Sequence, residues 1–398
     1  MKIIDKGICA VNNIKTNGVR NGKYGISIIY HPNLTTAAVY TSNRIVAAPV
    51  TISKKHLSNG KIDAVLINSG NANCYTKQQG IDDAFEMAKL VSDKLSIPIE
   101  NIALASTGVI GRQMPLDIYN PLIKDCLSKL ETSKESSYNS AEALLTTDTV
   151  TKEIAVEVEL DDGSIITIGG MCKGSGMIAP NMGTLLGFIT TDLKAEKDEL
   201  ENTLRNSVKK SFNMLVIDGD ESTNDTVFIM STNEIEGKID DNFKEALDYV
   251  CITLAKMMAK DAEGANKFME VTVTGAKTID DAILASKAVV SSSLVKTAVC
   301  GADPNWGRII DALGYSKAIF DPDEISITFK SDDKKAVLVE KGVIKTYLDE
   351  TLLSKAEKIM ENESVYINID LNQGDYNITA YGCDLTKEYV RINSEYTT

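Results

Sequence analysis

The middle of the chain holds the segment whose residue types best suit chemistry. It reads ITIGGMCKGSGMIAPNMGTLLGFITTD over residues 166–192, and it places four glycines, a lysine and a serine between two strand-like apolar runs, ahead of Gly183 and Thr184. Glycine permits positive φ and carries no side chain that would hinder a ligand. We therefore expect tight turns or exposed main chain at the four glycines of the cluster, which are Gly169, Gly170, Gly174 and Gly176.

A phosphate-binding loop is the obvious alternative for a glycine-rich segment that contains a lysine. The Walker pattern requires GxxxxGK followed by Ser or Thr. Here Lys173 precedes Gly174 and does not follow a suitably spaced glycine. We therefore reject a nucleotide site.

Thr184 is the residue of this segment that can act as a nucleophile. It follows Gly183, the least hindered residue that can precede it, and the run LLGFITTD after it is typical of a buried strand. A strained turn would present the Thr184 hydroxyl to the Gly183 carbonyl, and water would cleave the resulting ester to leave Thr184 as a new N-terminus. An α-amine titrates near ~7.7 to 8.0, so it can take the hydroxyl proton without a histidine. The pattern alone favours the plainer interpretation of a β-branched strand residue.

Histidine is scarce, which limits the alternatives for a catalytic base. The two histidines, His31 and His56, lie in the polar segments IIYHPNL and KKHLSNG. A Ser-His or Cys-His pair would have to use one of them. Neither is close in sequence to the glycine-rich segment, and we expect both at the surface.

Composition excludes several classes of protein. A net charge of −14 without a basic cluster makes nucleic acid a poor partner, so small molecules are better candidates. No segment approaches the ~18 apolar residues of a membrane span, and the N-terminus lacks a secretory pattern, so the cytoplasm is expected. The seven cysteines are scattered and never form CxxC, which argues against both a disulfide framework and a zinc site.

The elements that position these residues follow from hydrophobic periodicity. A chain of 398 residues is expected to form two lobes or one large layered domain. Apolar residues at helical spacing predict helices over 242–261, 196–212 and 280–289, and EVTVTGA after Met269 predicts a strand. The runs VYINIDL and YNITAYGC around residues 372–375 predict a β-hairpin with antiparallel pairing.

The whole chain resembles the ornithine acetyltransferase family. Its members carry a segment close to GGMxKGSGMIAPNMxT, which residues 169–184 match, and further blocks follow in the expected order. These blocks are NSGNANCYT at 68–76, ASTGVIGR at 105–112, TTDT at 146–149, DGDESTNDT at 218–226, PNWGRI at 304–309 and RINSEYTT at 391–398.

The resemblance implies a role for particular residues. Thr184 would be both nucleophile and cleavage point, and Thr107 with Gly108 would form an oxyanion hole from a hydroxyl and a backbone N–H. Lys173 would pair with a substrate carboxylate, and Glu270 would receive the δ-ammonium of ornithine. The implied substrate contacts are Thr147, Lys173, Thr184, Glu270, Asn393 and Thr398, the last of which requires the C-terminal tail to dock.

Two positions depart from the family pattern. Gly183 stands where we expect Ala, and it bears on how fast or how completely the chain is cut, because glycine loosens the turn. Cys172 also stands where we expect Ala, which suggests a thiol nucleophile. Its neighbours supply no histidine, and we interpret Cys172 as a small buried hydrophobe.

The resemblance also implies a fold and a reaction. The fold is α/β, a layered αββα-type sandwich of two intertwined autoproteolytic fragments, residues 1–183 and 184–398, that pair further into an α2β2 assembly. The reaction belongs to arginine biosynthesis and is ping-pong: Thr184 takes acetyl from N-acetylornithine, and glutamate then accepts it. No metal or organic cofactor is implied, and acetyl-CoA stays open as a second donor.

Two rival hypotheses come from other functions of the same pocket. An N-terminal-nucleophile aminopeptidase or amidase would release acyl groups to water, but the opposite charges of Lys173 and Glu270 suit a zwitterionic amino acid better. A catalytically silent amino-acid-binding protein would not need Thr107, Gly108 and Thr184 intact.

Overall fold

A computed structural model describes residues 1–179, 185–331 and 334–395. The chain divides into two compact units. The first consists of Met1–Asn213 and Asp220–Leu254, and the second of Met214–Gly219 and the described residues from Ala255 onward. The chain on both sides of the predicted cleavage point therefore belongs to the first unit, so the two units are a different division from the two predicted fragments.

The first unit is built on a nine-stranded sheet. Strands and helices are numbered in chain order, and this sheet runs β1-β6-β7-β8-β10-β3-β4-β5, with β2 also paired to β3. Pairing is parallel between β8 and β10 and between β4 and β5, and antiparallel elsewhere. The strands are β1 Lys2–Ile4, β2 Lys15–Asn21, β3 Tyr24–Tyr40, β4 Lys61–Asn71, β5 Ile102–Val109, β6 Lys152–Glu159, β7 Ile165–Lys173, β8 Leu186–Leu193 and β10 Thr226–Ile235.

Helices cover this sheet, and the last of them continues into the second unit. They are α1 Ala48–His56, α2 Lys77–Leu95, α3 Leu116–Ser128, α4 Lys134–Leu144, α5 Lys197–Lys210 and α6 Asp241–Lys260. The predicted helices at 196–212 and 242–261 are confirmed as α5 and α6.

Alternation along β4 shows how the layers stack, because successive side chains of a strand point to opposite faces. Ala64 and Leu66 belong to a core shared with residues of α2 and α3. Val65 and Ile67 belong to a second core that also contains Phe188 of β8 and other residues of β7 and β10. The half of the sheet around β4 therefore packs face to face on the half around β8.

Helix α6 closes the other side of this stack. A Cβ added at Gly170 of β7 would lie 2.9 Å from Val250 Cγ1 and 3.0 Å from Leu254 Cδ1, so the helix packs directly on the strand. The order is thus helix, sheet, sheet, helix, and the predicted layered α/β class is confirmed. Gly169 and Gly170 were expected in tight turns or in exposed main chain, and both expectations are wrong: the two glycines lie in the buried strand β7, where a side chain would collide with neighbouring atoms.

The second unit carries a seven-stranded sheet in the order β14-β13-β12-β15-β11-β16-β9. Its strands are β9 Leu215–Val216, β11 Phe268–Ala276, β12 Ser326–Ser331, β13 Lys334–Glu340, β14 Val343–Ile344, β15 Ser364–Asp370 and β16 Tyr376–Cys383. Its helices, besides the last turns of α6, are α7 Ile279–Ser291, α8 Ser293–Cys300, α9 Trp306–Tyr315, α10 Thr351–Met360 and α11 Lys387–Glu395.

Strand β11 corrects the predicted hairpin. The strands β15 and β16 exist, but they do not pair with each other, because β11 lies between them. Met269 of β11 faces Val365 of β15 in a parallel pair and Gly382 of β16 in an antiparallel pair. The predictions of a strand at β11 and a helix at α7 are confirmed.

The histidines also differ from expectation. His56 is buried, its Nδ1 lies 2.7 Å from the Ile102 carbonyl oxygen, and its ring contacts that of Phe85. The His31 side chain is 11% exposed, with Nε2 3.8 Å from Glu234 Oε1. Both imidazoles are part of the packing, so neither occupies the predicted surface position.

A helix that crosses a membrane needs about 20 predominantly apolar residues. No single helix in the described part of the chain is long and apolar enough to cross a membrane. The helices α7 and α8 pass the same test only as a pair, and they are bent by 55° at their junction.

Candidate active site

The glycine-rich segment joins β7 to β8. Gly183 and Thr184, the predicted cleavage point and nucleophile, lie outside the described residues. The next residue, Leu185, is buried, and its carbonyl oxygen accepts a hydrogen bond of 3.1 Å from the Thr226 N–H at the start of β10. The predicted buried strand after Thr184 is confirmed as β8, and its neighbour fixes the backbone from Leu185 onward.

Thr107 and Gly108 lie near the end of β5, where β5 approaches β4 very closely. Gly108 has a φ of +127°, which L side chains rarely adopt. A Cβ at this position would also lie 2.4 Å from the Gly70 carbonyl carbon and 2.6 Å from the Asn71 nitrogen. Only glycine fits, so the geometry of this predicted oxyanion hole is set by backbone packing.

Buried amides hold the preceding residues in place. The Ser106 hydroxyl donates to Asn68 Oδ1 at 2.5 Å, and Asn224 Nδ2 donates to the carbonyl oxygens of Ser106 and Ala72 at 2.9 and 2.6 Å. All four residues are buried. Asn68 and Asn224 belong to motifs of the family resemblance, but neither residue was predicted to have a role at the site.

The side chain of Lys173, the last residue of β7, reaches Thr107 near the end of β5. Its side chain is 9% exposed, and its Nζ donates to Thr146 Oγ1 at 2.8 Å and to Thr107 Oγ1 at 3.4 Å. Thr147, another predicted substrate contact, follows Thr146 and is partly buried. The structure therefore places Lys173 beside Thr107, with Thr147 in the adjoining segment.

Asp148 is the buried counter-charge of this site. Its side chain is fully buried, with Lys152 Nζ at 2.8 Å and Lys173 Nζ at 3.6 Å. The Gly174 N–H donates to Oδ1 at 2.7 Å, and the Thr146 N–H donates to Oδ2 at 3.2 Å. Burial alone would raise the pKa of Asp148, but the two lysines and the hydrogen bond from the Gly174 N–H hold this pKa well below its usual range.

Asp148 and Lys152 were not predicted as site residues. The signal was present, because Asp148 is part of the family block TTDT and Lys152 follows it, but single charges in a sequence are usually solvated. Asp148, Lys152 and Lys173 form a charged cluster, and its two lysines and one aspartate give it a formal charge of +1. Positive charge beside Thr107 suits a site where an oxyanion develops.

Glu270 lies in the second unit, on β11. Its Oε2 is 2.7 Å from Nζ of Lys256, which extends from the last turns of α6. Lys256 Nζ also lies 5.3 Å from the centre of the Tyr381 ring. Burial raises the pKa of Tyr381, and the negative charge of Glu270 adds to the increase. The predicted ammonium receptor therefore already holds a cation.

The C-terminal helix docks on the second unit, as the predicted site requires. Thr386 Oγ1 donates to the Gly264 carbonyl oxygen at 2.7 Å just before α11 begins. Asn393 Nδ2 donates to Oε2 of the buried Glu263 at 2.8 Å. The structure thus shows the contact of Asn393, whereas the predicted docking of Thr398 falls outside the described residues.

Cys172 is excluded as a nucleophile. It is fully buried, its Sγ faces the Leu254 carbonyl oxygen, and burial raises the pKa of its thiol. A thiol without access or thiolate character does not attack a substrate, so the interpretation of Cys172 as a buried hydrophobe is confirmed. In the described ranges, no group of three His, Cys, Asp or Glu side chains is arranged to hold a metal ion.

Comparison with known sequences identifies the protein family. The ArgJ family model matches residues 11–398. The chain is 52% identical, over its full length and 99% of the relative's, to a glutamate N-acetyltransferase of Methanothermobacter thermautotrophicus. It is 47% identical to a glutamate N-acetyltransferase of Methanocaldococcus jannaschii, with both chains covered completely.

Two solved structures are also similar. One is the arginine biosynthesis bifunctional protein argJ of Bacillus halodurans, 37% identical over 54% of this chain and 100% of its own, with a TM-score of 0.49. The other is an ornithine acetyltransferase of Mycobacterium tuberculosis in complex with ornithine, 28% identical over 46% of this chain and 98% of its own, with a TM-score of 0.42.

The layered α/β fold and the full-length relatives define an enzyme of the acyltransferase class. Within that class, the chain belongs to the ArgJ family.

Proposed function

We propose that this enzyme is a glutamate N-acetyltransferase of arginine biosynthesis, which moves acetyl from N2-acetyl-L-ornithine to L-glutamate. The observation that carries the proposal is the 52% identity, across the whole chain, to a protein named for this activity. The contact of Lys173 with Thr107 supports it, because it joins two of the motifs that the resemblance assigns to the active site.

The proposed chemistry begins with self-cleavage between Gly183 and Thr184. The Thr184 hydroxyl attacks the Gly183 carbonyl, and the C–N bond breaks to free the Thr184 α-amine. Water then hydrolyses the ester, which frees the Thr184 hydroxyl and leaves a carboxylate on Gly183. This amine then takes the hydroxyl proton when Thr184 attacks the acetyl carbonyl of N-acetylornithine. Ornithine leaves with that proton, and the amine of glutamate attacks acetyl-Thr184 to regenerate the hydroxyl.

Thr107 and Gly108 would stabilise the tetrahedral intermediates of both half-reactions. Thr107 Oγ1 accepts a hydrogen bond from Lys173 Nζ at 3.4 Å, so its own hydrogen is free to point at the oxyanion. The rigid β5 backbone would aim the Gly108 N–H at the same oxygen. Donors fixed in advance are worth ~2.7 to 4 kcal/mol each in such intermediates.

The remaining substrate contacts and the assembly complete the proposal. Glu270 would bind the δ-ammonium of ornithine, with Thr147, Lys173, Asn393 and Thr398 around the substrate. The fragments 1–183 and 184–398 would stay together and pair as α2β2 in the cytoplasm. Acetyl-CoA is a second donor to be tested, since a bifunctional enzyme would use it to acetylate glutamate.

Mass spectrometry of the purified protein tests the proposal. We expect two fragments that meet at residue 184 instead of one 43.2 kDa species. N-acetylornithine alone should add one acetyl group to the fragment that begins with Thr184, and glutamate should remove it. Thr184→Ala should give an uncut, folded and inactive chain, whereas Thr184→Ser should keep slower cutting and transfer because it retains the oxygen.

Three outcomes would contradict this assignment. An active Thr184→Ala variant, or acetyl on Lys173 or Cys172, would place the nucleophile elsewhere. Loss of the acetyl group to water at the same rate with and without glutamate would indicate the rival aminopeptidase or amidase activity.

A further inference from the structure

The Lys256–Glu270 pair contains a residue to which the proposed reaction gives no role. Lys256 Nζ lies 2.7 Å from Glu270 Oε2, and the two side chains are 37% and 16% exposed. The ring of Tyr381 lies close to the same Nζ, at 5.3 Å from its centre. Glu270 thus holds a cation before any substrate arrives, and Lys256 is exposed enough to move.

The two substrates of the proposed reaction present opposite charges in the same place. The side chain of ornithine ends in an ammonium and that of glutamate ends in a carboxylate, and in both the charged atoms follow Cδ. A ping-pong reaction uses one nucleophile for both half-reactions, so both side chains extend from the same point. A carboxylate receptor alone would attract the first substrate and repel the second.

We propose that Lys256 recognises the γ-carboxylate of glutamate, and that the Lys256–Glu270 pair exchanges partners between the half-reactions. The inference rests on the proposed function and extends it to the choice of acceptor. An ammonium on a flexible four-carbon stem has three donors and can serve two carboxylates at once. Lys256 is therefore a specificity-determining residue for the acceptor amino acid.

The exchange follows from the geometry of the pair. In the first half-reaction the δ-ammonium of N-acetylornithine takes the place of Lys256 Nζ on Glu270, and Nζ stays close to the face of Tyr381, which attracts cations. After ornithine leaves, Nζ returns to Glu270 and also binds the incoming carboxylate. Each substrate thereby finds an opposite charge, and neither meets an uncompensated like charge.

The test compares Lys256→Met with a matched control, Lys260→Met. Lys260 lies one turn further along α6, and its Nζ is 5.6 Å from the centre of the Phe268 ring. Both variants therefore remove an ammonium and a contact with an aromatic ring from the same helix. In a ping-pong reaction, kcat/KM for each substrate reports its own half-reaction. Both constants are measured for each protein by the rate of acetyl transfer.

For Lys256→Met we expect kcat/KM to fall about tenfold for glutamate and to change by less than about twofold for N-acetylornithine. Lys256→Arg should recover most of the loss because it keeps the charge, and Lys260→Met should leave both constants near wild type. Glu270→Gln should show the opposite selectivity and lose N-acetylornithine preferentially.

Equal losses for both substrates in Lys256→Met, or an unchanged constant for glutamate, would overturn the inference while leaving the proposed function intact. A wild-type protein without acetyl transfer from N-acetylornithine to glutamate would overturn the proposed function and the inference together. The two failures are distinguishable because the first requires an active wild type.

Discussion

In the proposed reaction, Thr107 is the residue through which the charged cluster of Asp148, Lys152 and Lys173 would act. Its hydroxyl accepts from Lys173, and Lys173 in turn lies against the buried Asp148. A hydroxyl that accepts this hydrogen bond keeps its own hydrogen available as a donor, and a donor already in place loses little free energy to reorganisation when charge develops. The charged cluster would therefore act on the proposed chemistry through one oxygen atom, Thr107 Oγ1.

Replacement of Thr107 tests this role. We expect Thr107→Ala to lower kcat by about 10²- to 10³-fold because the intermediate loses one donor. Thr107→Ser keeps the hydroxyl and should retain most of the activity. Steady-state kinetics with both substrates measure the change, and a Thr107→Ala variant with wild-type kcat would show that this hydroxyl does not stabilise the intermediate.

Asp148 makes the stability of the protein sensitive to acid. Its pKa is lower in the folded state than its ordinary value of about 3.9, so the unfolded chain binds the proton more readily. The stabilisation is therefore complete above about pH 4 and is lost as the pH falls below that value. Thermal unfolding between neutral and acid pH should show this loss.

Asp148→Asn removes the charge and tests the same point. We expect it to lower the free energy of unfolding at pH 7 by about 3 to 5 kcal/mol, because two buried lysines lose their counter-charge. The variant should also lose less stability in acid than the wild type. Asp125→Asn is the control, since its pair with Lys129 is about half exposed and contributes ~0.5 kcal/mol or less. Equal losses of unfolding free energy in Asp148→Asn and Asp125→Asn would contradict a stabilising role for the buried charges.

At the scale of elements, hydrophobic periodicity correctly predicted helices and strands whose formation depends on local sequence. The helix α6 and the strand β8 followed from apolar spacing and from an unbroken apolar run, and both are present. The predicted hairpin was wrong because partner choice depends on a distant strand: β11, far back in the sequence, lies between β15 and β16. Alternating polarity shows that a strand exists and does not show which strand lies beside it.

The same limit applies to the site residues: those in recognisable motifs were predicted, and those whose burial depends on distant packing were not. Thr107, Gly108 and Lys173 stand in recognisable motifs, and the structure brings Lys173 to Thr107. Asp148 and Lys152 were missed because their burial depends on how β6 and β7 pack, which no local pattern records. The same limit misplaced His56, whose polar neighbours in the sequence suggested the surface.

The packing of α6 on β7 gives a test at this scale. Gly170→Val should destabilise the protein by about 1 to 3 kcal/mol, because the new side chain would overlap Val250 and Leu254. A second substitution, Leu254→Ala, should recover part of that loss in the double variant by making room. Chemical denaturation of the single and double variants measures the coupling. Strictly additive effects would show that the two residues do not touch.

At the scale of the whole molecule, the first sheet is made from both sides of the proposed cut. The strands β8 and β10 follow residue 184, and they lie between β7 and β3, which precede it. Six residue pairs join β7 to β8, from Ile168 with Thr191 to Lys173 with Leu186. Cleavage would therefore leave two chains that share one sheet and one core.

This arrangement predicts that the cut does not separate the fragments. We expect residues 1–183 and 184–398 to elute together in size-exclusion chromatography under native conditions, at any dilution that leaves the protein folded. They should separate only in denaturant, because dissociation would expose the shared core. A fragment that leaves its partner under native conditions would contradict the interleaved sheet.

The same strand order has a consequence for synthesis. β3 and β7 leave the ribosome before β8 and β10. The β7 edge waits for β8 until Leu193 has been translated, and the β3 edge at residues 35–40 waits for β10 until Ile235 has been translated. Unpaired strand edges can pair with other nascent chains and cause aggregation. The peptide bond before Thr184 keeps the late strands tethered to the early ones during this interval, at a high local concentration. The proposed cleavage would in this sense be a maturation step: the bond serves assembly first, and its loss would then supply the amine for catalysis.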